Sequence, residues 1–370
     1  MRPALSRRIL LQTLCAMGLC AGACHAAVLR GTVTESIDVP LRERARARGI
    51  LYGAATGTYQ IADAAFAGVL AREAGILVPE YEMKRGVIEP VRGHFDFSGC
   101  DALLAFAHQH GMQFRGHPLV WHHRNPDWLD AALAASRDPK LLVDYITAVA
   151  GRYRGRMHSW DVVNEAIAPA DGRSDGLRET AWLKAFGPSY IDEAFHAARA
   201  ADPHALLVYI EWGCEAGAAA NDRFRAVTLD FLERALARRV PIDALGLQGH
   251  LSAFGPQIDQ TKLRTFLERV RALGLKVLVT EHDVDDHNGP SDVERRDRAV
   301  ADASRRFLDV ALDCRATVAV LTWGLSDSFL EPESLKDRLL RGRPRMLPLD
   351  ANLARTPMWH AIAEAFDRSV

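Results

Sequence analysis

The stretch SWDVVNEAI, Ser159–Ile167, begins as a buried strand and ends as something else. Val162 and Val163 are β-branched residues suited to a pleated apolar interior. Asn164 and Glu165 follow at once, placing an amide and a carboxyl where that interior stops. Burying such groups is costly unless they are paired or used.

The same design recurs along the chain. From residue 50 onward, short apolar runs alternate with helix-length amphipathic segments. The runs are ILYGAA near residue 50, ILVPE ending at Glu80, MQFRGHPLVW ending at Trp121 and SWDVVNE ending at Glu165. They continue with LLVYIEW ending at Trp212, ALGLQGH ending at His250, KVLVTEHD ending at Asp283 and VAVLTWG ending at Gly324. Between them lie helical patterns such as ADAAFAGVLAREAG, LLVDYITAVAGRY and TKLRTFLERVRALG, several closing on glycine as helix C-termini often do. Eight strands each followed by a helix predict an α/β fold, a (β/α)8 TIM barrel in a single domain. A doubly wound open sheet is the alternative, weakened by the lack of a glycine-rich phosphate loop after the first run. No linker, repeat or shift of composition divides the chain.

The bulk numbers bound the function. Of 370 residues, 48% are hydrophobic and 25% charged, with 46 basic against 47 acidic side chains and a net charge of −1. That balance argues against a nucleic-acid partner held by bulk electrostatics and suits a neutral substrate. Residues 1–26 read as an export signal, with an apolar stretch from Ile9 and a small-residue end at Ala26, leaving 27–370 as the mature barrel. Arg7 and Arg8 give it a twin-arginine character, an ordinary secretory signal being the alternative. Export to the periplasm or the medium follows, with no stable membrane association once the signal is removed. Cys100, Cys214 and Cys314 then remain, a widely spaced set that makes neither a disulfide framework nor a zinc site, though one bridge is open.

Nearly every apolar run ends in residues that a core would not choose: Glu80; Arg115, His117, Trp121 and His122; Asn164 and Glu165; Glu211 and Trp212; Gln248 and His250; Glu281 and Asp283; Trp323. In a barrel the C-terminal ends of all strands share one rim, where catalytic groups sit. Each residue alone has a structural explanation; together they predict a shared cleft. Glu165 and Glu281 are a carboxylate pair of the kind that glycoside hydrolysis needs, one as acid toward the leaving oxygen, the other as nucleophile or base. Trp121 and Trp323 supply faces on which the C–H face of a sugar ring stacks. No metal and no cofactor is expected. EHDVDDH (281–287) has the composition of a ligand cluster, but no His-x-His follows the first run and no HExxH helix is present.

RGHPLVWH (115–122), WDVVNEAI (160–167), GLQGH (246–250), VTEHD (279–283) and LTWGLSD (321–327) occur in the order found in family 10 glycoside hydrolases, the endo-β-1,4-xylanases. The chain resembles that family from about Leu51 to Phe366. The resemblance implies a retaining double displacement on xylan or xylo-oligosaccharides, with Glu165 as general acid/base and Glu281 as nucleophile. It implies that Asn164 binds the 2-hydroxyl of the sugar being cleaved, that His250 holds the nucleophile, and that Gln248 lies near the acid/base. His117, Trp121 and Trp323 line the subsite at the cleavage point, Lys84 serves the sugar on the non-reducing side, Glu80 is a further substrate-binding residue, and Asp161 and Asp283 are supporting carboxylates. Four departures stand out: Tyr81 for Asn and Arg85 for Trp in EYEMKR, Arg124 for Gln in WHHR, and Glu211–Cys214 for Asn-Asp-Tyr-Asn. The expected Ser-Trp after WGLSD is also missing. These imply altered subsites around an intact catalytic pair. A retaining glycanase acting on glucan, mannan or galactan is the alternative within the same chemistry; a metal-dependent hydrolase and a non-catalytic carbohydrate-binding barrel are others.

Overall fold

The computed structural model describes residues 39–368 except 333 and 335–338. The candidate export signal, with Cys15, Cys20 and Cys24, lies outside the described residues. Nine strands appear among these: β1 Leu51–Thr56, β2 Ile76–Pro79, β3 Gln113–Gly116, β4 Ser159–Asn164, β5 Leu206–Glu211, β6 Ala244–Leu247, β7 His250–Ser252, β8 Lys276–Asp285 and β9 Thr317–Thr322. All pairings between them are parallel. Eight close into a ring because β6 pairs with β8 and β9 returns to β1, where Leu51 sits opposite Ala319. The expected barrel is present, and the carboxylate-bearing strands β4 and β8 stand three places apart around it.

Two details differ from the expected runs. MQFRGHPLVW leaves the sheet at Gly116, since Pro118 has no N–H to give a ladder. Leu119 and Val120 instead donate backbone hydrogen bonds to Asp161 O and Val162 O at 2.8 and 3.0 Å. His250 does not end the sixth run but begins β7, which pairs with the outer end of β8 from Asp283 to Asp285.

Strand alternation sorts the apolar side chains into two layers. Tyr52, Leu77, Leu207, Tyr209, Val277, Val279 and Val320 pack outward against the helices. Ile76, Val78, Val208, Ile210, Leu278, Ala319 and Leu321 form a smaller cluster inside the ring, with Trp323 packed against it. The helices were foreshadowed by their 3.6-residue period and are capped accordingly. Asp63 accepts from Ala65 N and Phe66 N to start Ala64–Glu73, and Asp259 does the same for Gln260–Ala272. One glycine is needed for close approach: a Cβ on Gly116 would stand 2.1 Å from the Trp160 ring.

What positions the rim is a break in this order. Along β4 the register slips between Asp161 and Val163 against β5, so that two residues advance for one. Val162 and Val163 therefore both join the outer layer, and the alternation is reset before Asn164. Along β8 a second slip lies between Val279 and His282 against β9. Such irregularities re-aim side chains next to active sites. Each expected catalytic glutamate lies in or immediately beyond one.

Candidate active site

Glu165 leaves β4 with φ 58°, the left-handed region that non-glycine residues enter at a cost of about 1–3 kcal/mol. Neighbouring groups fix it there. Its N–H donates to Ile210 O at 3.0 Å. Arg178 Nε donates to its carbonyl at 2.8 Å and Arg178 Nη2 to Ile167 O at 3.2 Å. The carboxyl then points to Gln248, whose Nε2 donates to Oε1 at 2.8 Å and also reaches Asn164 Oδ1 at 3.3 Å. His122 Nε2 is 3.9 Å from the other oxygen. Burial, with the charge of Arg178, pushes the His122 pKa down to about 3, so the ring beside Glu165 is neutral.

Glu281 is buried in a different company. His250 Nε2 lies 3.3 Å from Oε2, and His250 Nδ1 lies 2.8 Å from Asp283 Oδ1. A ring that donates to two carboxylates must carry both protons. Burial opposes that charge, yet the two anions outweigh it and raise the His250 pKa well above its ordinary value. Burial likewise opposes ionisation of Glu281, but His117, His250 and Arg115 overcome it and its pKa falls below the usual value. The remaining oxygen, Oε1, accepts no hydrogen bond among the described residues, with His117 Nδ1 at 3.8 Å.

Asp161 faces into the ring, where its register partner Val208 belongs to the aliphatic cluster. It pairs with Arg115, and His117 Nδ1 donates to its other oxygen at 2.9 Å. Both members of the Arg115–Asp161 pair are fully buried. Removing one partner would strand the other charge. Arg115→Ala is expected to cost about 3–5 kcal/mol of unfolding free energy; a denaturant titration showing a loss below about 1 kcal/mol would contradict the pairing.

Three aromatic rings surround one ammonium. Lys84 Nζ lies 4.9 Å from the centroid of Tyr81, 5.4 Å from Trp121 and 5.6 Å from Trp323. Burial lowers its pKa against the pull of Glu281 and Glu80. Glu80 accepts from Tyr59 OH at 2.9 Å, and burial raises its pKa. Trp323 sits edge-on to His117 at 5.2 Å and to His250 at 6.5 Å. Asn164, Glu165 and Gln248 thus form one hydrogen-bonded group, His250, Glu281 and Asp283 a second, and Lys84 with the Trp121 and Trp323 rings a third.

Among the departures, Arg85 requires a correction. Its place among the departures implies a changed sugar subsite, yet it is buried, donates to Glu89 Oε2 at 2.9 and 3.1 Å and to Leu141 O at 2.9 Å, and stacks over Tyr145 at 4.1 Å. Tyr81 is different: it is 42% exposed. Trp212 is equally exposed and packs on Phe224, Cys214 is buried beside Thr228, and Glu211 is fully buried. Cys100, Cys214 and Cys314 are free thiols, so the open bridge is not formed among them. Asp285, Asp286 and His287 cluster closely, but Asp286 is ion-paired with Arg296 and His287 with Asp285.

Three residues given no role by sequence reasoning touch the carboxylates or their backbone. Arg115 and His122 carried a signal, being rim residues in RGHPLVWH. Arg178 carried none, since it lies in the loop after β4 and acts through main-chain carbonyls.

The chain matches glycosyl hydrolase family 10 over residues 40–365. It is 32% identical over 339 residues to endo-1,4-beta-xylanase B of Thermotoga neapolitana, covering 90% of this chain and 94% of that protein. It is 33% identical over 311 residues to endo-1,4-beta-xylanase C of Paenibacillus barcinonensis, covering 76% of this chain but 27% of that longer protein. Among solved structures, xylanase 10B of Thermotoga petrophila RKU-1 in complex with xylobiose superposes with a TM-score of 0.77 at 30% identity, over 89% of this chain and 98% of that one. Ring, rim and family match coincide, and the chain belongs to glycosyl hydrolase family 10.

Proposed function

We propose that the protein hydrolyses internal β-1,4-xylosidic bonds of xylan and xylo-oligosaccharides with retention, Glu165 serving as acid/base and Glu281 as nucleophile. The observation that carries this assignment is the unlike environment of the two carboxylates. Glu281 is held ionised by an imidazolium on one oxygen while its other oxygen is unpartnered, as attack on an anomeric carbon requires. Glu165 instead faces an amide and a neutral histidine, with Gln248 Nε2 at 2.8 Å and His122 Nε2 at 3.9 Å.

In the first step Glu281 Oε1 bonds to C1 as the glycosidic C–O bond breaks and Glu165 protonates the departing oxygen. In the second, Glu165 takes a proton from water, whose oxygen bonds to C1 and expels Glu281. The amide of Asn164, beside Gln248 and Glu165, suits the 2-hydroxyl of the sugar under attack. The relatives named as xylanases support xylan as the polymer. Cleavage of xylo-oligosaccharides followed by NMR is expected to release the β-anomer first; an α-anomer first would refute double displacement.

His250 tunes the acid limb. Its positive charge favours ionised Glu281, so removing it lets the Glu281 pKa rise. His250→Ala is expected to move the acid limb of kcat/KM to higher pH by on the order of one unit. An unmoved limb would show that His250 does not hold the nucleophile ionised.

Tyr81 favours an altered subsite on the non-reducing side, because an exposed ring stacked on Lys84 stands where the family carries Asn. Rates on xylan, glucan, mannan and galactan separate a specialised xylanase from another β-glycanase. We further propose export, directed by residues 1–26 and their Arg7–Arg8 pair. Fractionating cells that express the full chain tests it, and retention of all activity in the cytoplasm would refute it.

A further inference from the structure

The loop that presents Glu165 is gripped from two sides, and one of the grips belongs to this chain's departure from its family. Arg178 holds the carbonyls of Glu165 and Ile167. On the other side Glu211, the last residue of β5, accepts the Ile167 N–H on Oε2 at 3.1 Å. The same oxygen accepts from Tyr209 OH at 2.7 Å, and Oε1 accepts from Trp212 N at 3.3 Å. Glu211 has no exposed surface, and burial raises its pKa to about 8. Its hydrogen bonds run to one hydroxyl and to main-chain N–H groups, and the Ile167 N–H lies two residues beyond a glutamate in a left-handed conformation.

We propose that Glu211 is a positioning residue for catalysis: its buried carboxyl, tethering the Ile167 N–H, fixes the turn that aims the Glu165 carboxyl at the leaving oxygen. It acts through Glu165 and does not touch the sugar. The proposal rests on the assignment of Glu165 as acid/base.

A misaimed acid has a signature that a loosened fold lacks. A displacement of about 1 Å costs on the order of 10²-fold in rate. The loss falls on substrates whose leaving group must be protonated. A dinitrophenyl β-xylobioside departs as a phenolate without an acid, its C1–O bond breaking as the C1–O bond to Glu281 forms. The resulting ester then waits for a base. Azide bypasses that need: it forms a C1–N bond without losing a proton, expels the Glu281 carboxylate and leaves a β-glycosyl azide.

Glu211→Ala is therefore expected to lower kcat/KM on xylo-oligosaccharides by about 10²-fold and on the dinitrophenyl substrate by less than about tenfold. Azide should accelerate its turnover of the latter and yield the β-azide. Glu211→Gln keeps an acceptor oxygen for Ile167 N–H and should stay within about threefold of wild type on both substrates. Tyr209→Phe, which keeps the ring and removes only the hydroxyl donor, should show the same azide response at smaller amplitude; it carries the test should Glu211→Ala fail to fold. Equal losses on both substrates, a Gln variant as impaired as the Ala variant, or no azide response would each overturn the proposal. Glu165→Ala run alongside separates the two readings. If it gains no rate from azide, the acid/base assignment fails; if it does and the Glu211 and Tyr209 variants do not, only the positioning role fails.

Discussion

Glu281→Ala is expected to lower kcat on xylan by about 10⁵-fold while leaving the protein folded and able to bind xylo-oligosaccharides. The size follows from what the residue does: without an oxygen to bond C1, no glycosyl-enzyme can form, and the two-step path is closed. Binding survives because the rings and the amide proposed to meet the sugar, Trp121, Trp323 and Asn164, belong to other strands and loops. The folded state survives because few of the fold's contacts depend on this carboxylate; Oε1 has no hydrogen bond to lose. With a dinitrophenyl β-xylobioside, azide can enter the space left by the side chain and displace the phenolate in one step, giving the α-azide. Steady-state rates and product NMR check both points. Residual turnover on xylan above about 1% of wild type would refute the nucleophile.

Glu165→Ala is expected to divide substrates by leaving group. On xylan the loss should reach about 10²–10⁴-fold, the range that general acid–base catalysis supplies. On the dinitrophenyl glycoside, formation of the glycosyl-enzyme should persist and its hydrolysis become limiting, seen as a burst of phenolate followed by a slow steady state. Azide should restore the steady state and give the β-azide, opposite in configuration to the Glu281 product. Equal losses on both substrates would mean that Glu165 is not the acid.

Much of this was legible in the chain, for reasons that differ by residue. The barrel strands stand out as β-branched runs punctuated by glycine and proline, and the helices by their 3.6-residue period. The rim was legible because carboxylates, histidines and amides at the ends of apolar runs contradict burial unless something uses them. What escaped depends on direction. SWDVVNE reads as a buried strand, and only the slip between Asp161 and Val163 shows that both valines face the helices. Arg85 reads as a charge among sugar-binding residues, but Glu89 and the Tyr145 ring draw it into the packing behind the cleft. Arg178 and Glu211 work through main-chain atoms of the Glu165 loop, and no residue-type pattern marks a partner that binds backbone.

The ring is sealed where β9 meets β1, and there Tyr52 OH and Thr322 Oγ1 meet at 3.2 Å although they lie 270 residues apart. At synthesis rates of about 5–20 residues per second, the first strand emerges roughly 15–50 s before its last neighbour exists. For that interval one flank of β1 offers bare N–H and C=O groups to any passing strand. Closure is thus a final event in the life of the nascent chain, and the pair of glutamates on β4 and β8 shares a completed rim only once it has occurred. An unfinished polypeptide of this sequence is both sticky and inert, and the strand that ends the first condition also ends the second.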